Sequence, residues 1–209
     1  MKSDAAWGVE CAWPAARAGR RSSRGWLVLG IVLVALGTWQ LGRGVWIQAK
    51  AWLAQELIAH AWSRTLAGER DVRPWGWADT WPVARLTVPR LGVERYVLAG
   101  ADGAAMPFGP GHMHGTALPG AAGNSVIGGH RDTHLAFMRR LRPGDALVVE
   151  RPDGARTSYR VASAEVLDRR EIWVAKQDGP TRLTLVTCYP FDALGADGPL
   201  RYVVVALTD

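Results

Sequence analysis

Cys188 closes the β-branched run Thr181–Thr187 and stands before Tyr189-Pro190. A strand end that opens into a loop holds a side chain rigidly and exposes it. A thiol is mostly protonated at neutral pH, so a cysteine nucleophile needs a base or a cation beside it. His130 is the best-placed base. It follows Ser125-Val-Ile-Gly-Gly129, a short run ending in paired glycines, and precedes Arg131-Asp132. An imidazole there can approach another strand end closely and carry protons. Arg201 opens the last β-rich run, 13 residues beyond Cys188, as if one loop separated two adjacent strands. Its guanidinium could stabilise an oxyanion or orient a carbonyl. Taken singly, these residues read as a buried thiol, a structural imidazole and a rim arginine. Taken together they suit acyl transfer through a cysteine.

The elements that must position them are short strands. From Val83 onward β-branched runs alternate with Gly, Pro and Asp turns. The pattern predicts strands at Ala84–Val88, Val93–Leu98, Ser125–Gly128, Ala146–Glu150, Ser158–Leu167, Thr181–Thr187 and Arg201–Leu207. Arg151-Pro-Asp-Gly154 is a hairpin turn between two of them. Only Leu135–Leu141 reads as helical in this region. So many short strands in one domain argue for an all-β barrel or sandwich.

The chain has 209 residues, 48% of them hydrophobic and 21% charged, which excludes a disordered protein and a polytopic membrane protein. The net charge of +6 invites a nucleic-acid reading. Half of that excess lies in residues 1–24, a basic tail with Lys2, Arg17, Arg20, Arg21 and Arg24. The remainder is nearly balanced and has no basic stripe interleaved with aromatics, so no nucleic-acid partner is expected.

Gly25–Gly42 follows the tail as 18 residues without a charge, close to the ~20 needed to cross a bilayer. Trp26, Trp39 and Trp46 stand where an aromatic belt would lie. Ala35-Leu-Gly37 resembles a signal-cleavage site, yet apolar character continues past it, which favours an uncleaved anchor over residues 25–47. The basic tail before the span puts the N-terminus in the cytoplasm, so the rest of the chain lies on the periplasmic side of the inner membrane. Cys11 and Cys188 are then on opposite sides and cannot pair, and an unpaired thiol in an oxidising compartment is either buried or needed. Residues 46–68 read as a helix with Leu53, Leu57 and Ala61 on one face and Ile58, Trp62 and Leu66 alongside. A Pro/Trp-rich connector follows at 70–82. The organisation expected is a tail at 1–24, an anchor at 25–47, a juxtamembrane helix and connector at 48–79, and a catalytic domain at 80–209.

Thr184-Leu-Val-Thr-Cys188 resembles the Thr-Leu-x-Thr-Cys motif of sortases. Gly128-Gly-His-Arg-Asp132 is similar to their histidine motif, and Arg201 falls where their arginine opens the last strand. Gly109–Thr116, Pro119-Gly120 and Gly123-Asn124 resemble the segment that leads to the histidine. These motifs occur in order over residues 80–209. The anchor, Trp77–Asp79 and Cys188–Phe191 look like the sortase subgroup of Gram-negative proteobacteria. The resemblance implies an eight-stranded β-barrel and a cysteine transpeptidase that cleaves a C-terminal Leu-Pro-x-Thr-Gly-like sorting signal on a protein substrate. It implies Cys188 as nucleophile, His130 as general acid and base, and Arg201 as the carbonyl-stabilising cation. Thr187 is a supporting candidate for that stabilisation. Asp132 is a candidate to orient His130, or a turn cap.

No cofactor is implied, and no carboxylate cluster suits calcium. A rival reading makes His112, His114, His130, His134 and Cys188 metal ligands, although their spacing fits no standard zinc pattern. A third is a non-catalytic, membrane-anchored assembly module.

Overall fold

The computed structural model describes residues 23–209 except 102, 104, 194, 196, 197 and 209, with the backbone alone at 23, 172 and 173. Nearly all of the basic tail, Cys11 included, lies outside the described residues. The described chain divides after Ile47, and Gln48–Asp209 is a compact unit.

Helix α1 spans Ser23–Leu66, one continuous helix where the sequence suggests an anchor and a separate juxtamembrane helix. Its residues from Arg24 to Leu53 are exposed, and its length and apolar composition suffice to cross a membrane. Beyond Gln48 one face becomes buried: Ala54, Ile58, Ala61, Trp62 and Thr65. That is the helical period, with Ile58, Ala61 and Trp62 of the expected stripe buried, Ala54 and Thr65 added to it, and Leu53 and Leu66 exposed. The reason is what receives it. Ile58 packs on Leu98 and Ala105, flanked by Trp75, Tyr96 and Phe108, while Trp62 faces Tyr96 with ring centroids 6.4 Å apart. Gly68, at φ +100°, ends the helix with its N–H on the Thr65 carbonyl.

The strands are β1 (Pro82–Val88), β2 (Val93–Ala99), β3 (Gly111–His112), β4 (Asn124–Gly129), β5 (Ala146–Glu150), β6 (Arg156–Asp168), β7 (Arg182–Cys188) and β8 (Leu200–Thr208). They close into a barrel in the order β1-β2-β3-β4-β7-β8-β6-β5. Two neighbouring pairs, β2–β3 and β4–β7, are parallel; the others are antiparallel. Alternation fills the interior: Ala84, Leu86 and Val88 of β1 meet Ile127, Leu147, Val149, Tyr159, Leu183, Leu185 and Val204. Each large side chain so buried contributes roughly 1.5–3 kcal/mol. The Ala136–Arg140 turn, a 3-10 helix where a helical turn is expected, plugs the barrel with Phe137 and Met138.

The sequence pattern does not reveal β3. It has two residues and no β-branched side chain, and it exists because Gly111 lets the chain press against its neighbour. A Cβ there would fall 2.0 Å from the Gly100 carbonyl oxygen.

Candidate active site

The barrel's alternation sorts β7 into two faces. Leu183, Leu185 and Thr187 point into the core, so Thr184, Val186 and Cys188 face outward. On β8 the core takes Val204 and Ala206, which leaves Arg201 and Val203 on the outer face. Cys188 and Arg201 are direct partners in the β7–β8 register. On the other side of β7, the parallel ladder with β4 ends at Gly129 opposite Thr187. His130 is the next residue, one step on in register, level with Cys188. The thiol therefore stands on the middle of three adjacent strand ends, with the imidazole's strand on one side and the guanidinium's strand on the other. Cys188 and Arg201 are half-buried, and His130 is exposed.

Four hydrogen bonds hold this arrangement. The Thr187 hydroxyl donates to the Gly129 carbonyl at 2.7 Å, joining the ends of β7 and β4 inside the barrel. Arg201 Nη1 donates to the carbonyls of Gly198 at 2.8 Å and Leu200 at 2.9 Å, and the Tyr189 N–H reaches the Leu200 carbonyl at 3.1 Å. Thr187 thus lies on the inner face, away from the thiol. Asp132 is exposed, and no hydrogen bond joins it to His130 among the described residues.

The outer face of these strands carries a groove of about 330 Å³, lined by apolar Leu167, Val174, Val186 and Val203 and by charged Asp168, Arg169, Glu171 and Arg201; Cys188 and His130 do not line it. The β6–β7 connection forms one wall, and a buried asparagine fixes it. Asn124 Nδ2 donates to the carbonyls of Val174 at 2.8 Å and Lys176 at 3.0 Å, while its Oδ1 accepts from Thr184 Oγ1 at 2.7 Å. Gln177 Nε2 donates to the Asn124 carbonyl at 2.9 Å. The structural weight of Asn124 and Gln177 is missed from sequence; for Asn124 the available signal is a polar amide opening a buried run.

The remaining histidines are separate. His112 is buried, and its Nε2–H donates to the Ala117 carbonyl at 2.9 Å, with Thr116 Oγ1 at 3.1 Å. Burial pushes its pKa below the ordinary 6.5. His134 Nε2 lies 3.2 Å from the Pro107 carbonyl, and burial lowers its pKa too. No group of three or more His, Cys, Asp or Glu side chains able to hold a metal occurs among the described residues, so the metal constellation does not assemble there. A larger groove of about 570 Å³, lined by Trp81, His112, His114, Leu118 and Arg151 among others, includes none of Cys188, His130 and Arg201.

The Sortase domain family model matches residues 86–209. The chain belongs to the sortase family. Sortase D of Bacillus subtilis (strain 168) is 30% identical over 120 residues, 57% of this chain and 60% of that protein. The match thus spans about three fifths of that relative's length. Among solved structures, a Clostridium perfringens Sortase D5 transpeptidase superposes with TM-score 0.54 at 25% identity, covering 62% of this chain and 79% of its own. The catalytic domain of B. anthracis SrtD gives TM-score 0.53 at 32% identity, over 61% of this chain and 87% of its own. Sortase A from Corynebacterium diphtheriae, at 20% identity and TM-score 0.57, covers 75% of this chain and 84% of its own and shares the fold. The sortase barrel expected from the motifs is the barrel observed.

Proposed function

We propose that this sortase is a membrane-anchored cysteine transpeptidase that cleaves a C-terminal Leu-Pro-x-Thr-Gly-like sorting signal and transfers the acyl group to an amine. The observation that carries the reading is the register of the three strand ends, with Cys188 opposite Arg201 and His130 directly after Gly129, the last β4 residue, which pairs with Thr187. The Cys188 sulfur attacks the carbonyl carbon of the scissile threonine, and the peptide C–N bond breaks to leave a thioester. His130 gives a proton to the leaving amine and takes one from the incoming nucleophile. Arg201 offsets negative charge on the carbonyl oxygen. Thr187 supports these steps as a strand staple, and Asp132, exposed and without a hydrogen bond to His130 among the described residues, is read as part of the turn that carries the imidazole. Leu167, Val174, Val186 and Val203 in the groove suit the leucine and proline of such a signal.

The exposed apolar part of α1 anchors the chain in the inner membrane, with the barrel on the periplasmic face. Trp77–Asp79 and Cys188–Phe191 support the Gram-negative subgroup.

The test is intact-mass trapping with a Leu-Pro-x-Thr-Gly peptide. A thioester adduct on Cys188, released by an amine and absent from Cys188→Ala, is expected. Peptide cleavage that survives Cys188→Ala would refute the mechanism.

A further inference from the structure

Arg131 directly follows His130 and is 8% exposed, a burial that arginine rarely adopts without partners. Its partners are remote in sequence. Nη2 donates to the carbonyls of Ala193, at 2.7 Å, and Gly195. Both belong to the loop that leaves Cys188 and returns to Arg201. Among the described residues no carboxylate pairs with Arg131, and its Nη1 is buried with no hydrogen-bond partner. Burying a guanidinium without a carboxylate is costly. Arg139 and Arg140, a few residues on, are exposed, as arginines normally are. The cost at Arg131 therefore needs a return, and its bonds show what that is.

We infer that Arg131 is a positioning residue that clamps the β7–β8 loop to the His130 turn and so fixes the spacing of His130 and Cys188. The inference rests on the catalytic reading above. On the histidine side, the Leu135 N–H donates to the His130 carbonyl at 3.0 Å and closes the turn. Leu135 also packs under Gly129, where an added Cβ would meet its Cγ at 2.9 Å. On the thiol side, Arg201 grips the carbonyls at the far end of the same loop. Arg131 grips its middle. One nitrogen, Nη2, thus ties the residue after the base to the segment after the nucleophile, and the shorter lysine side chain offers its charge without that reach.

The test uses the full chain in detergent, in a Cys11→Ser background, with Arg131→Met and Arg131→Lys. Two quantities are measured: thioester formation with a Leu-Pro-x-Thr-Gly peptide, and the pH dependence of Cys188 alkylation by iodoacetamide without substrate. For Arg131→Met the acylation rate should fall about 10- to 100-fold, in kcat more than in KM, because reacting groups are misplaced while the groove is intact. Its alkylation curve should move toward that of His130→Ala, with Arg131→Lys intermediate. A folded Arg131→Met chain with wild-type kcat and alkylation curve overturns the inference. If circular dichroism shows that Arg131→Met does not fold, Arg131→Lys decides: wild-type behaviour refutes the clamp, and a lowered kcat with a shifted curve supports it. If the wild-type chain forms no thioester yet alkylation still depends on both His130 and Arg131, the clamp stands and the substrate reading fails. If alkylation depends on neither, both fail.

Discussion

The Thr187 hydroxyl and the Gly129 carbonyl, 2.7 Å apart inside the barrel, join the strand that ends at Cys188 to the strand that ends just before His130. Thr187 is buried at 2% exposure, so the bond is shielded from water. Thr187→Val keeps the shape and removes the donor, leaving a buried acceptor short of a partner. Stability should fall by about 1–3 kcal/mol. Urea unfolding measures this, and acylation should slow even where the chain is fully folded. Unchanged stability and turnover would mean that the two strand ends do not need the staple.

Arg201→Ala should lower kcat for thioester formation by about 10²–10³, the usual loss for an oxyanion-stabilising donor. Arg201→Lys should also be damaging, because a point charge cannot hold the loop carbonyls and the substrate together. Steady-state peptide cleavage measures both. Near wild-type turnover in Arg201→Ala would make Arg201 a loop fastener and no more.

Proton transfer by His130 together with the Cys188 thiol should give a bell-shaped dependence of kcat/KM on pH, whose limbs belong to the pair. His130→Ala should flatten the bell and remove most activity. His112→Ala, His114→Ala and His134→Ala should each retain it. A pH–rate series on the four variants decides, and a loss at one of those three as large as that at His130 would contradict the assignment.

His112 makes a prediction about stability. Burial holds its pKa below the ordinary 6.5, so the unfolded chain takes up a proton before the folded one does. Above about pH 6.5 both states are neutral there and nothing changes. As pH falls below that value, unfolding gains a proton and stability declines, until the folded-state pKa is passed. His134 is shifted the same way and adds to the slope. His112→Gln should therefore show a shallower loss of stability on the acid side of pH 6.5, read from chemical denaturation at several pH values. An identical slope in the variant would show that His112 titrates alike in both states.

Much of the barrel is legible in the sequence because local chemistry decides it. β-branched alternation marks β1, β2, β4, β5, β6, β7 and β8. The Arg151–Gly154 turn forms as written, with the Gly154 N–H on the Arg151 carbonyl at 2.9 Å and Gly154 at φ +77°. The motifs around Cys188, His130 and Arg201 lead to three neighbouring strand ends. What escapes is set by contacts far apart in the chain. Gly111-His112 becomes a strand only because β2 and β4 flank it. Asn124 reads as a loop residue until the carbonyls of Val174 and Lys176 arrive. Arg131 reads as part of a turn, and its reach to Ala193 spans 62 positions that no local pattern records. The buried face of α1 depends likewise on which side chains Tyr96 and Leu98 receive.

The alternation of β7 makes the chemistry all-or-none with respect to register. Thr187 and Cys188 are consecutive and face opposite ways, so a slip of one position would bring the hydroxyl outward and send the thiol into the core. No partly slipped barrel could work at reduced speed. A preparation that loses activity through such a slip should therefore contain two populations, one fully competent and one inert, and in a Cys11→Ser background titration of reactive thiols would count the competent molecules directly.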